Sequence, residues 1–205
     1  MMRHYLLTAI AAFSLCSTAA EAAIPIYGSP GVTNTETYGF VKSVTGNLIA
    51  TFVGAEAGYT NRLGVIAGGV DLGTGLSNKS ALGTSFNFGL VDAGTLVTFY
   101  IDVQNTGKRW YSDPTLNSDG LNHMFAASYG GGDKVGSKLF APGIYVALGF
   151  EDKTYGGDRD YDDARYVLSD MLMIDEAPEP AAWAMMLIGF GAIGTAVRRR
   201  RRAGA

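Results

Sequence analysis

The chain has 205 residues, 47% of them hydrophobic and 17% charged, with a formal net charge of −3. That length is enough for one domain with a real core plus targeting segments. A single cysteine, Cys16, excludes a disulfide framework.

The N-terminus predicts a secretory signal peptide over 1–22. Arg3 and His4 form a basic leader, Tyr5 to Leu15 an apolar stretch, and Ala20-Glu21-Ala22 a small-residue cleavage site before Ala23. The apolar run is shorter than the ~20 residues a membrane span needs. Lipoprotein processing is disfavoured because Leu15, just before Cys16, stands where a small residue is required.

Between Ala23 and Ala177 lie 10 basic and 17 acidic side chains, a net charge of −7 for the exported region. Such a domain repels phosphate backbones, so nucleic acid is not an expected partner; solubility or cation binding fits better. The segment is rich in Gly, Thr, Val, Phe and Tyr, and no long stretch has a 3.6-residue apolar period. Strand candidates run in chain order over Tyr38–Val44, Leu48–Val53, Arg62–Ala67, Ser85–Leu90, Thr95–Val103, His123–Tyr129, Ile144–Phe150 and Arg165–Leu172. Alternation is clearest in two of them. Val97, Phe99, Ile101 and Val103 share one face, as do Ile144, Val146, Leu148 and Phe150. Asp92-Ala93-Gly94 and Asn105-Thr106-Gly107 read as turns, Trp110–Asn122 as a long loop, and Gly130-Gly131-Gly132-Asp133-Lys134 as a flexible turn. The expected fold is all-β, an antiparallel β-sandwich or jelly roll over 23–177.

Six carboxylates crowd the connection between the last two strand candidates: Glu151, Asp152, Asp158, Asp160, Asp162 and Asp163. Left uncompensated they repel one another. Hard oxygen ligands at alternate positions are what calcium takes, and Gly156-Gly157 lets the loop fold back on itself. It is not an EF-hand: position six is Asp163 rather than Gly, position twelve is Ser169 rather than Glu, and the flanks are strands. Two readings stay open, a calcium or other divalent site and a solvated loop partly neutralised by Lys153, Arg159 and Arg165. The ion is favoured.

No catalytic constellation emerges. His123 is the one histidine after the leader, and no Gly-x-Ser-x-Gly elbow accompanies it, so it reads as structural or surface. One histidine and no cysteine cannot supply the usual zinc ligands. Trp110 and Tyr111 could stack on a sugar, but aromatic pairs in β proteins more often belong to the core or rim. A non-enzymatic module is expected. A polysaccharide-modifying enzyme with a carboxylate pair is the alternative.

The C-terminal 178–205 has its own grammar. Pro178-Glu179-Pro180 precedes the uncharged run 181–197, and Arg198 to Arg202 closes it. Seventeen residues give roughly 25 Å of helix, enough for a single transmembrane helix at the short end, and the arginines place its end in the cytoplasm. With the Trp183-Ala184 pair, Met185-Met186-Leu187 and Gly189-Phe190-Gly191, the tail resembles the PEP-CTERM sorting signal. The resemblance implies recognition of Pro178, Glu179 and Pro180 by an exosortase, passage through the inner membrane, and delivery to the cell surface or an exopolysaccharide matrix.

A second resemblance covers the acidic loop. Phe150-Glu151-Asp152, a glycine spacer, and Asp158-Arg159-Asp160-Tyr161-Asp162-Asp163 are similar to a motif near the end of uncharacterised bacterial extracellular domains. It implies a β-sandwich and an extracellular role, and no reaction. This chain has Asp162 where Asn is common and Ala164-Arg165 where apolar residues are usual.

Overall fold

The computed structural model describes residues 23–174. The predicted signal peptide, the sorting residues Pro178, Glu179 and Pro180, and the predicted membrane helix 181–197 lie outside the described residues. Among the described residues no helix is long and apolar enough to cross a membrane.

Alternating side chains decide the architecture, because a strand with one apolar face must bury it against another layer. Five strands form one antiparallel sheet in the order β5 (Ser85–Val91), β2 (Gly46–Gly54), β12 (Ala164–Ser169), β11 (Tyr145–Phe150), β8 (Met124–Tyr129). Four form a second: β4 (Val70–Ser77), β3 (Asn61–Ala67), β6 (Val97–Val103), β7 (Lys108–Tyr111). Their inner faces meet in one core, where Leu48, Phe52, Val146, Leu148 and Phe150 of the first sheet pack with Leu63, Val65, Phe99, Ile101 and Trp110 of the second. Two short pairs complete the fold, β1 (Gly39–Lys42) with β13 (Met171–Ile174) and β9 (Lys134–Val135) with β10 (Lys138–Leu139). The fold is the antiparallel sandwich expected from the strand pattern.

Several details differ from the sequence reading, each for a local reason. The single strand expected over Arg165–Leu172 is two strands, because Asp170 adopts a left-handed φ of 55°. β12 then pairs with β11 and β2, while β13 pairs with β1. β4 was not legible, since its two glycines and shifted register interrupt alternation on an edge strand. β7 takes in Trp110 and Tyr111 of the expected loop Trp110–Asn122, and the expected turn Gly130–Lys134 leads into the short β9–β10 pair. The chain that follows this pair has a packing role. Phe140 joins Tyr129, Ala147, Val53 and Val167 in a second, smaller core on the outer face of the five-stranded sheet. Hence β11 is buried on both faces although only one face is strongly apolar in sequence.

The end of the β11–β12 hairpin sets up the region of interest. Phe150 pairs with Ala164, so Glu151 leaves the sheet and Asp163 re-enters it side by side. One strand position back, Gly149 lies beneath Tyr161 of the connecting loop, and a Cβ there would drive into the Tyr161 carbonyl oxygen. We expect Gly149→Ala to lower stability by about 1–3 kcal/mol through overpacking. Gly46→Ala, whose Cβ meets open space, should change it by less than about 1 kcal/mol. Denaturant melts of the two variants check the contrast.

Candidate functional site

The loop from Glu151 to Asp163 spans the end of β11 to the start of β12 and folds back at Gly156-Gly157. Gly157 adopts φ 44°, ψ −129°, a backbone that L side chains rarely enter. A Cβ at Gly157 would also lie 2.5 Å from Glu151 Oε2. Four non-glycine residues among those described have positive φ, and three are here: Tyr155, Arg159 and Tyr161. Such conformations cost of order 1 kcal/mol or more each and persist only where surroundings over-determine them.

The six predicted carboxylates come together at this end of the sandwich, but they divide into distinct environments. Glu151 is fully buried. Its Oε1 accepts the backbone N–H groups of Asp160 (2.7 Å) and Tyr161 (2.9 Å), while Oε2 is buried with no hydrogen-bond partner. Glu151, exposed Asp158 and half-buried Asp160 each offer an oxygen, all within 4.8 Å of one another. This trio is the arrangement that could hold a cation.

Asp152 and Asp163 serve the framework instead. Asp163 Oδ2 accepts the Asp152 N–H (2.9 Å), Asp152 Oδ2 accepts Asn61 Nδ2 of β3 (2.8 Å), and the Asp152 carbonyl accepts Trp110 Nε1 of β7 (3.1 Å). Asp152 therefore ties the loop to the opposite sheet. Its Oδ1 is likewise buried and unpartnered. Asp162 stands apart, half-buried beside Asp160 and Arg165 in a small crevice.

Compensation by neighbouring cations is absent at contact range. Among the described residues, the ion pairs within 4.0 Å are Lys42–Asp170, Arg109–Asp71, Arg109–Asp102 and His123–Asp119, and none involves the six loop carboxylates. Lys153 and Arg165 act on the cluster only from beyond that distance: the carboxylates hold the Lys153 ammonium above its ordinary range, and Lys153 and Arg165 in turn oppose the upward shifts of Asp163 and Asp162; Arg159 Nε is itself buried without a partner. The electrostatic consequence is plain. Burial pushes the Glu151 carboxyl up to about 8, with Asp163 and Asp158 adding to the effect. Burial and the facing Asp152 carry Asp163 to about 7, and burial with Asp160 carries Asp162 to about 6. A cation seated in the trio would relieve this.

Of the two readings of His123, structural or surface, its burial excludes the surface. Its ring is fully buried, stacked on Trp110 at 3.9 Å between centroids, with Nε2 on the Asp119 carboxylate (3.0 Å) and Nδ1 at the Glu151 carbonyl (3.3 Å). Trp110 is equally buried, which removes it as a sugar platform. Sequence reasoning missed Asn61 and Asn78, which lie at the ends of β3 and β4. Asn78 Oδ1 accepts the Asn61 N–H, and its Nδ2 donates to the Asp163 carbonyl. Asparagine flanking a strand reads as a turn residue, so no local signal separates these two.

Residues 176–202 match the PEP-CTERM protein-sorting motif, and the chain carries that motif where the tail resembles it. Residues 81–168 match a domain of unknown function, DUF4114, a span that includes the acidic loop. No curated protein matches the chain. Among solved structures, a high-affinity mannose-binding lectin of Ralstonia solanacearum aligns at 18% identity and a TM-score of 0.40, covering 70% of this chain and all of the lectin.

The raised carboxyls fix a pH dependence. Glu151 binds its proton more tightly in the folded than the unfolded chain, so its protonated form favours folding. That stability is fully present below about pH 4.5 and is lost as pH rises through about 8. Asp163 adds a loss in the same direction through about 7. In chelator, the melting temperature should fall from pH 5 to pH 8 by at least about 5 °C. Glu151→Gln, which cannot ionise, should flatten the profile.

Proposed function

We propose that the chain is an exported, exosortase-sorted surface or exopolysaccharide-matrix protein whose β-sandwich is a structural or adhesive module stabilised by calcium. Export rests on the sorting motif at 176–202. The observation that carries the ion is the Glu151 carboxylate, fully buried with one oxygen unpartnered, beside Asp158 and Asp160 and, among the described residues, in no ion pair within 4.0 Å.

The donor set fits calcium. It consists of carboxylate oxygens on a loop open to water at Asp158, whereas zinc prefers nitrogen and sulfur ligands and magnesium demands a stricter octahedron. When bound, the ion supplies positive charge that lets the carboxylates stay ionised. Glu151 would hold it through Oε2 while Oε1 keeps the loop backbone at Asp160 and Tyr161 in place. Asp152 passes that order to the opposite sheet through Asn61 and Trp110. The site is thereby a clasp between layers, which suits a module that must stay rigid outside the cell without disulfides.

A polysaccharide-modifying reading draws no support from the loop. The crevice beside Asp160 and Asp162 is small and is closed in by Tyr27, Phe125 and Tyr161.

The test is a thermal melt of the exported protein in calcium, in magnesium and in chelator. An ion bound by the native state alone stabilises by RT ln(1 + [L]/Kd), about 2.7 kcal/mol at one hundred times Kd. Calcium should raise the melting temperature, magnesium should do less, and an Asp158→Asn/Asp160→Asn double variant should lose the rise. Equal melts in all three conditions would remove the ion. The sorting half is checked separately in cells: alanine at Pro178, Glu179 and Pro180 should leave the unprocessed chain in the membrane fraction.

A further inference from the structure

The segment ahead of the first strand, residues 24–36, is irregular in structure yet runs across the acidic loop and is bonded to it. The Gly31 N–H donates to the Arg159 carbonyl (3.0 Å) and the Asn34 N–H donates to the Tyr161 hydroxyl (2.8 Å). Tyr27 packs edge-on against Tyr161 at 4.7 Å between ring centroids, and also against Phe125 at 5.5 Å. Asn34 is anchored in turn, its Nδ2 donating to Tyr38 Oη and to the Met124 carbonyl. The contacts are selective. Of the loop residues it hydrogen-bonds, the strap takes Arg159 and Tyr161, both in left-handed backbone at φ 61° and 57°.

These two residues bracket Asp160 and meet the candidate ion site directly. The N–H groups of Asp160 and Tyr161 both donate to Glu151 Oε1. A continuous path therefore runs from the strap backbone through Tyr161 to the buried carboxylate. Left-handed conformations at an arginine and a tyrosine are unfavourable unless held from more than one side. Glu151 holds one side of this turn, and the strap holds the other.

We infer that the strap 24–36 is a positioning element of the ion site, so that strap docking and calcium binding strengthen each other. The inference rests on the calcium reading above. Coupling between two sites is reciprocal by linkage: whatever calcium adds to strap docking, the docked strap adds to calcium affinity. With leader cleavage expected before Ala23, the strap would begin one residue into the exported chain, beside the expected cleavage point.

The experiment uses the full exported chain, with Tyr27→Ala as the strap variant and Tyr161→Phe as a milder one that deletes the hydroxyl bonded to Asn34 but keeps the ring. Calcium itself is the probe. Titration calorimetry reads affinity, and amide exchange reads protection at Gly31 and Asn34 in calcium and in chelator. Calcium should slow exchange at those two amides at least tenfold in the unmodified chain. Tyr27→Ala should weaken calcium binding at least fivefold and Tyr161→Phe to a smaller extent, both with native circular dichroism. Unchanged calcium affinity in both variants, with strap exchange indifferent to calcium, would overturn the coupling and leave the ion site standing. No calcium binding by the unmodified chain would overturn both, and the titration alone distinguishes that case.

Discussion

Two buried carboxylates at the end of one hairpin, Glu151 and Asp152, are the constraint from which the rest of this structure is best understood. Burying an ionised carboxylate is costly unless its charge and lone pairs are matched. Here the matching is partial. Backbone N–H groups satisfy Glu151 Oε1 and an asparagine satisfies Asp152 Oδ2, yet one oxygen of each carboxylate has no partner. The surrounding architecture is organised to hold both groups there anyway. Both sheets reach them, the first through Phe150 and Ala164 and the second through Asn61 and Trp110. The positive-φ turn at Arg159 and Tyr161 and the glycine at 157 keep the loop wrapped around them.

Buried carboxylate oxygens without a hydrogen-bond partner set this loop apart from an acidic loop whose charges all stand in water. Solvated loops keep their charges in water, and this one does so only in part. Asp158 is exposed and Asp160 half-buried, while Glu151, Asp152 and Asp163 are not solvated. The energetic tension is local, and so is its relief by a proton or a cation.

The outer half of the fold carries a different lesson. Gly130–Lys134 reads as a flexible turn, but just beyond it Phe140 seals the second face of β11, and Gly131 and Gly136 pass so close to neighbouring backbone that a side chain would collide with it. The arginine at 109 lies 3.7 Å over the Tyr100 ring and forms a two-pronged bond with Asp102, so the outer face of the four-stranded sheet is bound by aromatic and ionic contacts rather than left bare. None of that could be assigned from a single strand's pattern.

The sequence by itself determined the address and the layers. The sorting motif is read as a linear string, and the alternation in Thr95–Val103 and Ile144–Phe150 is a local property of a pleated chain, so both were legible. It also marked the acidic loop, because six carboxylates and a Gly-Gly pair are visible without a fold. Only the tertiary structure decided which of the six carboxylates meet one another and which brace the framework. Burial and hydrogen-bond partners come from residues far away in sequence, Asn61 and Trp110 for Asp152, Asn34 and Tyr27 for Tyr161. Asp158 and Asp163 are the same chemical group a few residues apart. One stands in water and the other is buried against Asp152 at the start of β12, and that difference is a property of packing, which no local pattern encodes.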